Sequence, residues 1–296
     1  MILVTGATGF VGSHLLRRLA RSGSAPVRGL VRKPGAGVRN GVEPVIGDLT
    51  KPETLGPALA GISMVVHAAA ITGDRKEPHR GAYAQINRAG TENLVAAARK
   101  AGVRRFVLMS GLGTAPAPAG SYMATRWAME EAVRDSGIPH VILQPSVLFG
   151  DGAEFIAALV RLARVSPVLP LLGGGSLRFQ PLWIEDLVSC LVKALSDDSL
   201  LGRAIALGGA EYVTFREVLE EICRAQSIRR LLVPLPLWMA KAPSRLMAVL
   251  PHPPLTPAML ELFAFDNATE LDVIPRTFGF QARGFREHLR THGVAG

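Results

Sequence analysis

Apolar residues in the first half of the chain form short continuous runs that alternate with longer stretches in which they recur every three or four positions. The short runs are typical of buried parallel strands, and the spaced stretches are typical of amphipathic helices. The predicted strands are 2–5, 26–31, 45–46, 63–67, 105–109 and 140–143. The predicted helices are 11–20, 51–60, 83–101 and 122–136. This alternation predicts the α/β class, with a parallel sheet and right-handed crossovers.

The helix predicted over 51–60 carries a capping signal. Thr50 is expected to cap its first turn, and Glu53 stands three residues later as the partner of a capping box. Gly102 and Gly137 follow two other predicted helices, and glycine commonly ends a helix there.

The second half of the chain is less regular. The pattern predicts helices at 153–164 and 184–195, a loop at 170–175, and a strand end at 213–215 followed by a helix to residue 225. The proline-rich stretch 234–257 is expected to form short helices separated by turns. The chain contains no internal repeat and no low-complexity linker. The second half is therefore expected to form a cap built onto the first.

A glycine pattern joins the first predicted strand to the first predicted helix. The sequence Thr5-Gly6-Ala7-Thr8-Gly9-Phe10-Val11-Gly12 has the spacing GxxGxxG. The first glycine permits a tight turn, the second lets a pyrophosphate approach the backbone, and the third allows the helix to pack closely on the strand. The helix N-terminus offers unpaired N–H groups to the phosphates. We therefore predict a dinucleotide site that includes Gly6, Thr8, Gly9, Phe10 and Val11.

The residues after the second strand indicate which dinucleotide binds. A carboxylate there would hold the 2′-hydroxyl of NAD, whereas this chain has Arg32 and Lys33. Arginine pairs with phosphate in a bidentate manner, so NADP(H) is the predicted cofactor, and NAD(H) stays open. Asp48, with Leu49, is placed to bind adenine after the third strand. The small residues Ala68, Ala69 and Ala70 would leave room for the adenosine.

Composition and charge narrow the alternatives. The net charge of +9 is spread along 296 residues without a long basic run, which argues against a nucleic-acid partner. Cys190 and Cys223 lack metal-ligand spacing, so we expect buried thiols, no metal site and a reducing compartment. No apolar run reaches the ~18 residues of a membrane span, so a cytoplasmic location is expected.

One apolar segment, 231–250, has two interpretations. It is bordered by cations and interrupted by prolines. It could be the core of the cap, or a surface that binds a membrane or a protein partner. A peripheral location at the inner face of the membrane therefore stays open.

The chain resembles the extended and atypical short-chain dehydrogenase/reductase superfamily. The residues that carry the resemblance are the turn from Gly6 to Gly12, 47–49, Ala68 to Ala70, Asn87 with Gly90 and Thr91, Ser110, Tyr122 and the loop 144–150. The resemblance implies that Tyr122 is the acid/base, that Ser110 polarises the substrate carbonyl, and that Pro145 and Val147 lie beside the nicotinamide. The family has a lysine four residues after the tyrosine, which lowers the pKa of the tyrosine and binds the nicotinamide ribose, and this chain has Arg126 at that position. The resemblance implies that Tyr122 and Arg126 also contact the cofactor. Tyr122 and Arg126 share a helix face, and a cation beside a phenol favours the phenolate, but guanidinium is planar and larger than ammonium.

Within that superfamily the chain is most similar to the NADPH-binding accessory subunit of respiratory complex I and its bacterial relatives. The segments 65–70, 101–107 and 178–187 carry this narrower resemblance, with weaker support from 233–236 and 254–257. This narrower resemblance implies that bound NADPH could stabilise the protein without being consumed in a reaction. Two functions therefore stay open: an NADP-linked oxidoreductase or epimerase of a small carbonyl or sugar-nucleotide substrate, and a non-catalytic or slow NADPH-binding subunit.

These observations together predict a Rossmann-type, doubly wound parallel sheet with a smaller C-terminal cap. Residues 1–150 are the predicted NADP-binding domain, and 151–296 are the predicted cap, interleaved with the sheet in one compact unit. The substrate is a small molecule that the sequence does not identify. A homodimer or a protein partner at the membrane edge stays open.

Overall fold

The protein is represented by a computed structural model that describes residues 1–23, 25–38, 41–75, 77–116, 122–247 and 255–293. Its strands, in chain order, are β1 Ile2–Thr5, β2 Val27–Val31, β3 Glu43–Ile46, β4 Met64–His67, β5 Arg105–Met109, β6 His140–Pro145, β7 Leu148–Phe149, β8 Val168–Leu172, β9 Arg178–Phe179, β10 Leu182–Trp183, β11 Ala204–Leu207, β12 Val213–Thr214 and β13 Leu231–Leu235. Its α-helices are α1 Phe10–Ser22, α2 Leu55–Ala58, α3 Gly90–Lys100, α4 Tyr122–Arg134, α5 Glu154–Val165, α6 Ile184–Ala194, α7 Phe215–Ala225, α8 Leu237–Met247, α9 Pro257–Leu262, α10 Val273–Phe278 and α11 Phe285–His292.

Seven strands form the main sheet in the order β11-β6-β5-β4-β1-β2-β3. The pairs from β6 across to β3 are all parallel. This is a doubly wound order, in which the strand order reverses between β1 and β4. In such sheets ligands bind beside the loops that follow the two strands at the reversal. The predicted α/β class and Rossmann-type sheet are confirmed.

Two compact, interleaved units make up the chain. The first contains Met1–Ile71, Glu77–Gln144 and Leu187–Ile205, and the second contains Thr72–Lys76, Pro145–Asp186 and Ala206–Gly296. The core of the first unit forms where buried residues of the sheet meet those of α2, α3 and α4. Its members include Leu3, Leu55, Val65, Leu94, Phe106 and Met129.

The second unit has a separate core rich in aromatic rings. Phe179 lies at its centre, with ring centroids 5.5 Å from Phe263 and 5.9 Å from Phe215. Two-stranded sheets surround this core, and one of them pairs β8 with β13 in parallel. The residues of each core all belong to one unit, so each unit has an apolar core of its own.

The capping box predicted at Thr50 and Glu53 is wrong. The segment forms a single 3₁₀ turn at Pro52–Thr54 before the short helix α2. Thr50 instead donates from its backbone N–H and its hydroxyl to Oδ1 of Asp48, at 2.9 and 2.8 Å. Gly56 and Pro57 explain the short helix, because both residue types disfavour a helix interior.

The helix predicted over 83–101 changes from a π-helix to an α-helix along its length. Residues Tyr83–Ala89 are π-helical, and the α-helix α3 begins only at Gly90. The apolar spacing did not reveal this, because a single π-helical stretch shifts the buried face by only part of a turn. Such stretches are often found at functional sites.

The prediction of a loop at 170–175 is also wrong in part. Residues 168–172 form β8, and only Gly173–Gly175 form a 3₁₀ turn. The partner strand β13 ends at Leu235, so its last two residues lie within the stretch 234–257 that was expected to hold only short helices and turns. Prolines in both strands suggested turns, but a two-stranded sheet tolerates a residue that lacks an N–H. The helices expected further on are found as α8 and α9, and residues 248–254 between them lie outside the described part.

Candidate functional site

The turn after β1 requires glycine at two positions. Gly6 has φ +68°, and a Cβ there would lie 2.8 Å from the carbonyl oxygen of Ala68. A Cβ on Gly12 would lie 2.1 Å from the carbonyl oxygen of Gly6. The turn therefore packs tightly against the loop after β4 on one side and against α1 on the other, which no larger residue would allow.

The N-terminus of α1 has no side-chain cap. Gly9 is the N-cap residue, and the first turn contains no acidic residue. The N–H of Gly9 donates to the carbonyl oxygen of Gly6 at 2.8 Å, which closes the turn. Thr8 is exposed, Phe10 is partly exposed and Val11 is buried. The helix therefore presents its dipole and its free N–H groups without a competing carboxylate, as an anion site needs.

A buried histidine links this turn to α3. His67 Nδ1 lies 2.7 Å from Oγ1 of Thr5, and Nε2 lies 2.9 Å from Oγ1 of Thr91. Thr5 Oγ1 accepts from the N–H of Ala69 at 3.2 Å, and Thr91 donates to the carbonyl oxygen of Asn87 at 2.5 Å. Every donor and acceptor is satisfied if Thr5 donates to Nδ1 and Nε2–H donates to Thr91. The chain of hydrogen bonds fixes the phosphate turn relative to the loop after β4.

Burial keeps this histidine neutral. The side chain is fully buried, and its desolvation, with the charge of Arg126, lowers the pKa of His67 to about 3. A neutral imidazole is the form that the hydrogen bonds require, because a doubly protonated ring could not accept from Thr5.

Asn87 fixes the end of the same loop. Its amide Nδ2 donates to the carbonyl oxygen of Ile71 at 3.0 Å, and its Oδ1 accepts from the N–H of Ile71 at 2.8 Å. Ala68, Ala69 and Ala70 precede this clamp and are all partly exposed. The loop therefore presents small side chains on a backbone held at both ends.

Charged residues follow β2 and β3. Arg32 and Lys33 are exposed just after β2, and Asp48 is partly exposed after β3. Burial alone would raise the pKa of Asp48, but hydrogen bonds from Thr50 and the charges of Arg32 and Lys51 bring it below its usual value. Asp48 is therefore ionised near neutral pH, within the field of Arg32. Leu49 is buried, and its carbonyl oxygen accepts from Asn93 at 2.8 Å.

Ser110 meets a carboxylate that the sequence analysis did not single out. The serine hydroxyl donates to Glu130 Oε1 at 2.5 Å, and both residues are buried. Glu130 also accepts from Gln144 at 2.8 Å and pairs with Arg134 at 2.5 Å. The buried carboxylate is thus paired and fixes the orientation of the serine hydroxyl.

Arg126 lies between Ser110 and Tyr122. Its Nη2 donates to the carbonyl oxygen of Ser110 at 3.2 Å, and its guanidinium carbon lies 5.8 Å from the centroid of the Tyr122 ring. The Tyr122 ring also meets Tyr83 edge to face at 5.4 Å. Nε of Arg126 is buried and has no hydrogen-bond partner among the described residues. An orphaned donor of this kind marks a place where a ligand acceptor would fit.

The sequence spacing could have identified Glu130. Tyr122, Arg126 and Glu130 follow one another at intervals of four residues on α4, so they share one helix face. His67, by contrast, gives no local signal, because both of its partners are distant in sequence.

Pro145 and Val147, expected beside the nicotinamide, belong to the second unit. The backbone there is held by Asn267, whose Oδ1 accepts from Ser146 Oγ at 2.6 Å and from the N–H of Val147 at 2.9 Å. Asn267 is buried and was not anticipated from the sequence.

The described residues contain no group of three or more side chains arranged to hold a metal ion. Cys190 and Cys223 are both buried thiols. Within the described residues, no helix is both long enough and apolar enough to cross a membrane.

Comparison with known proteins identifies relatives over the whole chain. A 33% identical match over 303 residues, covering 100% of the chain and 99% of the relative, is (4-alkanoyl-5-oxo-2,5-dihydrofuran-3-yl)methyl phosphate reductase of Streptomyces griseus. Ceramide reductase of Caulobacter vibrioides is 35% identical over 65% of the chain, and mitochondrial NADH dehydrogenase (ubiquinone) 1 alpha subcomplex subunit 9 of Arabidopsis thaliana is 28% identical over 73%. The chain spans only 60% and 56% of the lengths of these last two relatives.

The fold is shared with solved structures. A short-chain dehydrogenase/reductase superfamily protein from Agrobacterium tumefaciens with bound NAD superposes with a TM-score of 0.73 at 23% identity, covering 99% of this chain and 95% of that one. The sequence model of the NAD-dependent epimerase/dehydratase family matches residues 2–208, which carry the phosphate turn, Ser110, Tyr122 and Arg126. The chain therefore belongs to the NAD-dependent epimerase/dehydratase family, whose members bind NAD(P)(H), and the resemblance found in the sequence is confirmed.

Proposed function

We propose that the chain is an NADP(H)-linked oxidoreductase or epimerase that acts on a small carbonyl compound or a sugar nucleotide. The observation that carries this proposal is that Ser110, Tyr122 and Arg126 meet in the same unit as a glycine turn with an uncapped helix. Reductases among the relatives support the reaction class.

The residues present fit a dinucleotide. Gly6 and Gly12 keep the turn free of side chains, and the N-terminus of α1 would bind the pyrophosphate. Arg32 and Lys33 would bind the 2′-phosphate, and this is the reason to favour NADP(H) over NAD(H). Nε of Arg126, which has no hydrogen-bond partner in the part of the chain that the structure describes, would donate to a hydroxyl of the nicotinamide ribose.

When bound, the nicotinamide supplies or accepts the hydride. Tyr122 would give a proton to the substrate oxygen in reduction, or take it in oxidation. Ser110 would hold that oxygen after its hydroxyl turns away from Glu130, to which it donates in this structure. Arg126 would contact both the tyrosine and the cofactor ribose and so fix their relative position, which is the role of the lysine in the family.

One observation favours a second candidate, a slow or non-catalytic NADP(H)-binding subunit. The hydroxyl of Ser110 already donates its hydrogen bond to Glu130, so the serine presents only its lone pairs to a ligand. Polarising a carbonyl would require the serine to break that bond. Arg126, in place of lysine, also brings a bulkier cation to the tyrosine.

Two variants separate the candidates. Turnover of a panel of ketones and sugar nucleotides with NADPH is measured for the wild type, Tyr122→Phe and Arg126→Lys. The oxidoreductase proposal expects wild-type turnover that falls roughly 100-fold or more in Tyr122→Phe, because general acid–base catalysis contributes about that much. Tyr212→Phe is the matched control, since Tyr212 is an exposed tyrosine of the second unit.

Other outcomes decide against the oxidoreductase. Turnover only in Arg126→Lys would show that this chain has lost the reaction and retains the binding function. Wild-type turnover that Tyr122→Phe leaves unchanged would remove Tyr122 from the mechanism.

A further inference from the structure

Exposed apolar side chains concentrate in one part of the second unit. Of the nine large apolar side chains that are exposed among the described residues, six lie at the end of α5, in β8 and β13, and at the start of α8. Val165 is 81% exposed and Trp238 is 72% exposed. We call this set the β8–β13 patch; its members are Val165, Val168, Leu231, Val233, Trp238 and Met239.

The pairing of β8 with β13 explains why the patch is continuous. Leu231 pairs with Val168, and Val233 pairs with Pro170, so these residues share one face of the two-stranded sheet. The intervening residues Leu169 and Leu171 point into the core and are fully buried. The sheet is therefore apolar on both faces, although the described residues bury only one of them.

The two chain segments that build the patch carry charge of one sign. Neither 155–184 nor 222–260, the two segments that build the patch, contains an aspartate or a glutamate. Together these segments carry eight arginines and lysines, which are Arg161, Arg164, Arg178, Arg224, Arg229, Arg230, Lys241 and Arg245.

The cations nearest the strands are not neutralised. Arg161, Arg178 and Arg224 form ion pairs with carboxylates that lie outside the two segments. Among the described residues, no ion pair joins a carboxylate to Arg164, Arg229 or Arg230. Arg230 instead donates to the carbonyl oxygens of Ala163, Arg229 and Arg164, which holds its charge beside the end of α5. The patch thus combines uncovered apolar surface with a fixed excess of positive charge.

We propose that the β8–β13 patch binds the surface of an anionic phospholipid bilayer. Apolar side chains with a tryptophan enter the region between head groups and acyl chains, and the surrounding cations meet the lipid phosphates. Each cation near an anionic membrane strengthens partition by roughly fivefold. The protein lies on the membrane without crossing it.

The charge argues against a second copy of this chain as the occupant. A symmetric dimer through the patch would place the same acid-free segments against each other. Cation would face cation, and like charges across an interface oppose association. An anionic bilayer supplies the opposite charge.

Vesicle binding tests the proposal without any substrate or cofactor. The full chain is sedimented with vesicles of phosphatidylcholine alone and of phosphatidylcholine mixed with phosphatidylglycerol. We expect binding to the mixed vesicles only, weakened by salt, with a blue shift of tryptophan fluorescence that Trp238→Phe removes. The double variant Leu231→Glu/Trp238→Glu should bind the mixed vesicles at least roughly tenfold more weakly, because it removes apolar contacts and adds negative charge.

Leu271→Glu is the matched control, because Leu271 is an exposed leucine of the same unit outside both segments. It should bind the vesicles as the wild type does. Unchanged thermal unfolding of each variant shows that the loss is local. Equal binding to both vesicle types, no binding to either, or a wild-type dimer that Leu231→Glu dissociates would each overturn the proposal.

Discussion

At the scale of single residues, buried polar groups determine the geometry of the candidate site. Glu130 fixes Ser110, and His67 fixes Thr5 beside the phosphate turn. Both groups are costly to bury, and each is satisfied by hydrogen-bond partners. Such residues are expected where a site must be held rigid before its ligand arrives.

His67 makes stability depend on pH. In the folded protein the pKa of His67 is about 3, whereas in the unfolded chain it returns to about 6.5. Between these values the unfolded state binds more protons, so the free energy of unfolding falls as the pH is lowered. The expected slope from His67 is at most about 1.4 kcal/mol per pH unit.

Urea unfolding at pH 7 and pH 5 measures this effect. The wild type should lose about 2 kcal/mol more than His67→Gln over this range, because an amide hydrogen-bonds without titrating. His79→Gln is the control, since His79 is exposed, and it should keep the wild-type slope. Equal slopes in the wild type and His67→Gln would contradict a neutral buried histidine.

At the scale of elements, the parts that could be predicted are those whose signals are local. The run Ile2–Thr5 followed by the glycine turn and an apolar helix face sufficed to predict β1, the turn and α1. The π-helical start at Tyr83 could not be predicted, because it hardly changes the apolar spacing. The pairing of β8 with β13 could not be predicted, because it depends on contacts between segments distant in sequence. Asn267 and the partners of His67 were missed for the same reason.

The glycine turn allows a direct test of this element. Gly12→Ala would place a Cβ 2.1 Å from the carbonyl oxygen of Gly6, so α1 must move away from the turn. We expect NADPH affinity to fall at least roughly tenfold, because the helix N–H groups no longer face the phosphates. Calorimetric titration measures the change.

Gly56→Ala is the control for this substitution. Nothing in the structure lies within 4 Å of a Cβ at Gly56, and this residue lies in the short helix α2 of the same unit. Its affinity for NADPH should equal that of the wild type. An unchanged affinity in Gly12→Ala would show that the packing of α1 on the turn is not needed for binding.

At the scale of the whole molecule, the net charge of +9 includes no long basic run, but two segments of the chain lack carboxylates altogether. The acid-free segments 155–184 and 222–260 lie in the second unit, whereas Arg32 and Lys33 follow β2 in the first. Positive charge thus accompanies two different features, a nucleotide turn and an apolar patch. The glycine turn and the apolar segment are both visible in the sequence. The pairing of β8 with β13 shows which apolar residues of that segment are buried and which are exposed.

The relative affinity for NADPH and NADH shows whether Arg32 and Lys33 bind a 2′-phosphate. Calorimetric titration of NADPH and NADH into the wild type should show NADPH binding at least roughly tenfold more tightly, because charge-assisted hydrogen bonds to a phosphate contribute this much. Arg32→Ala/Lys33→Ala should bring the two affinities together, while the exposed-lysine control Lys100→Ala keeps them apart. Wild-type protein that binds NADH as tightly as NADPH, or more tightly, would contradict the account.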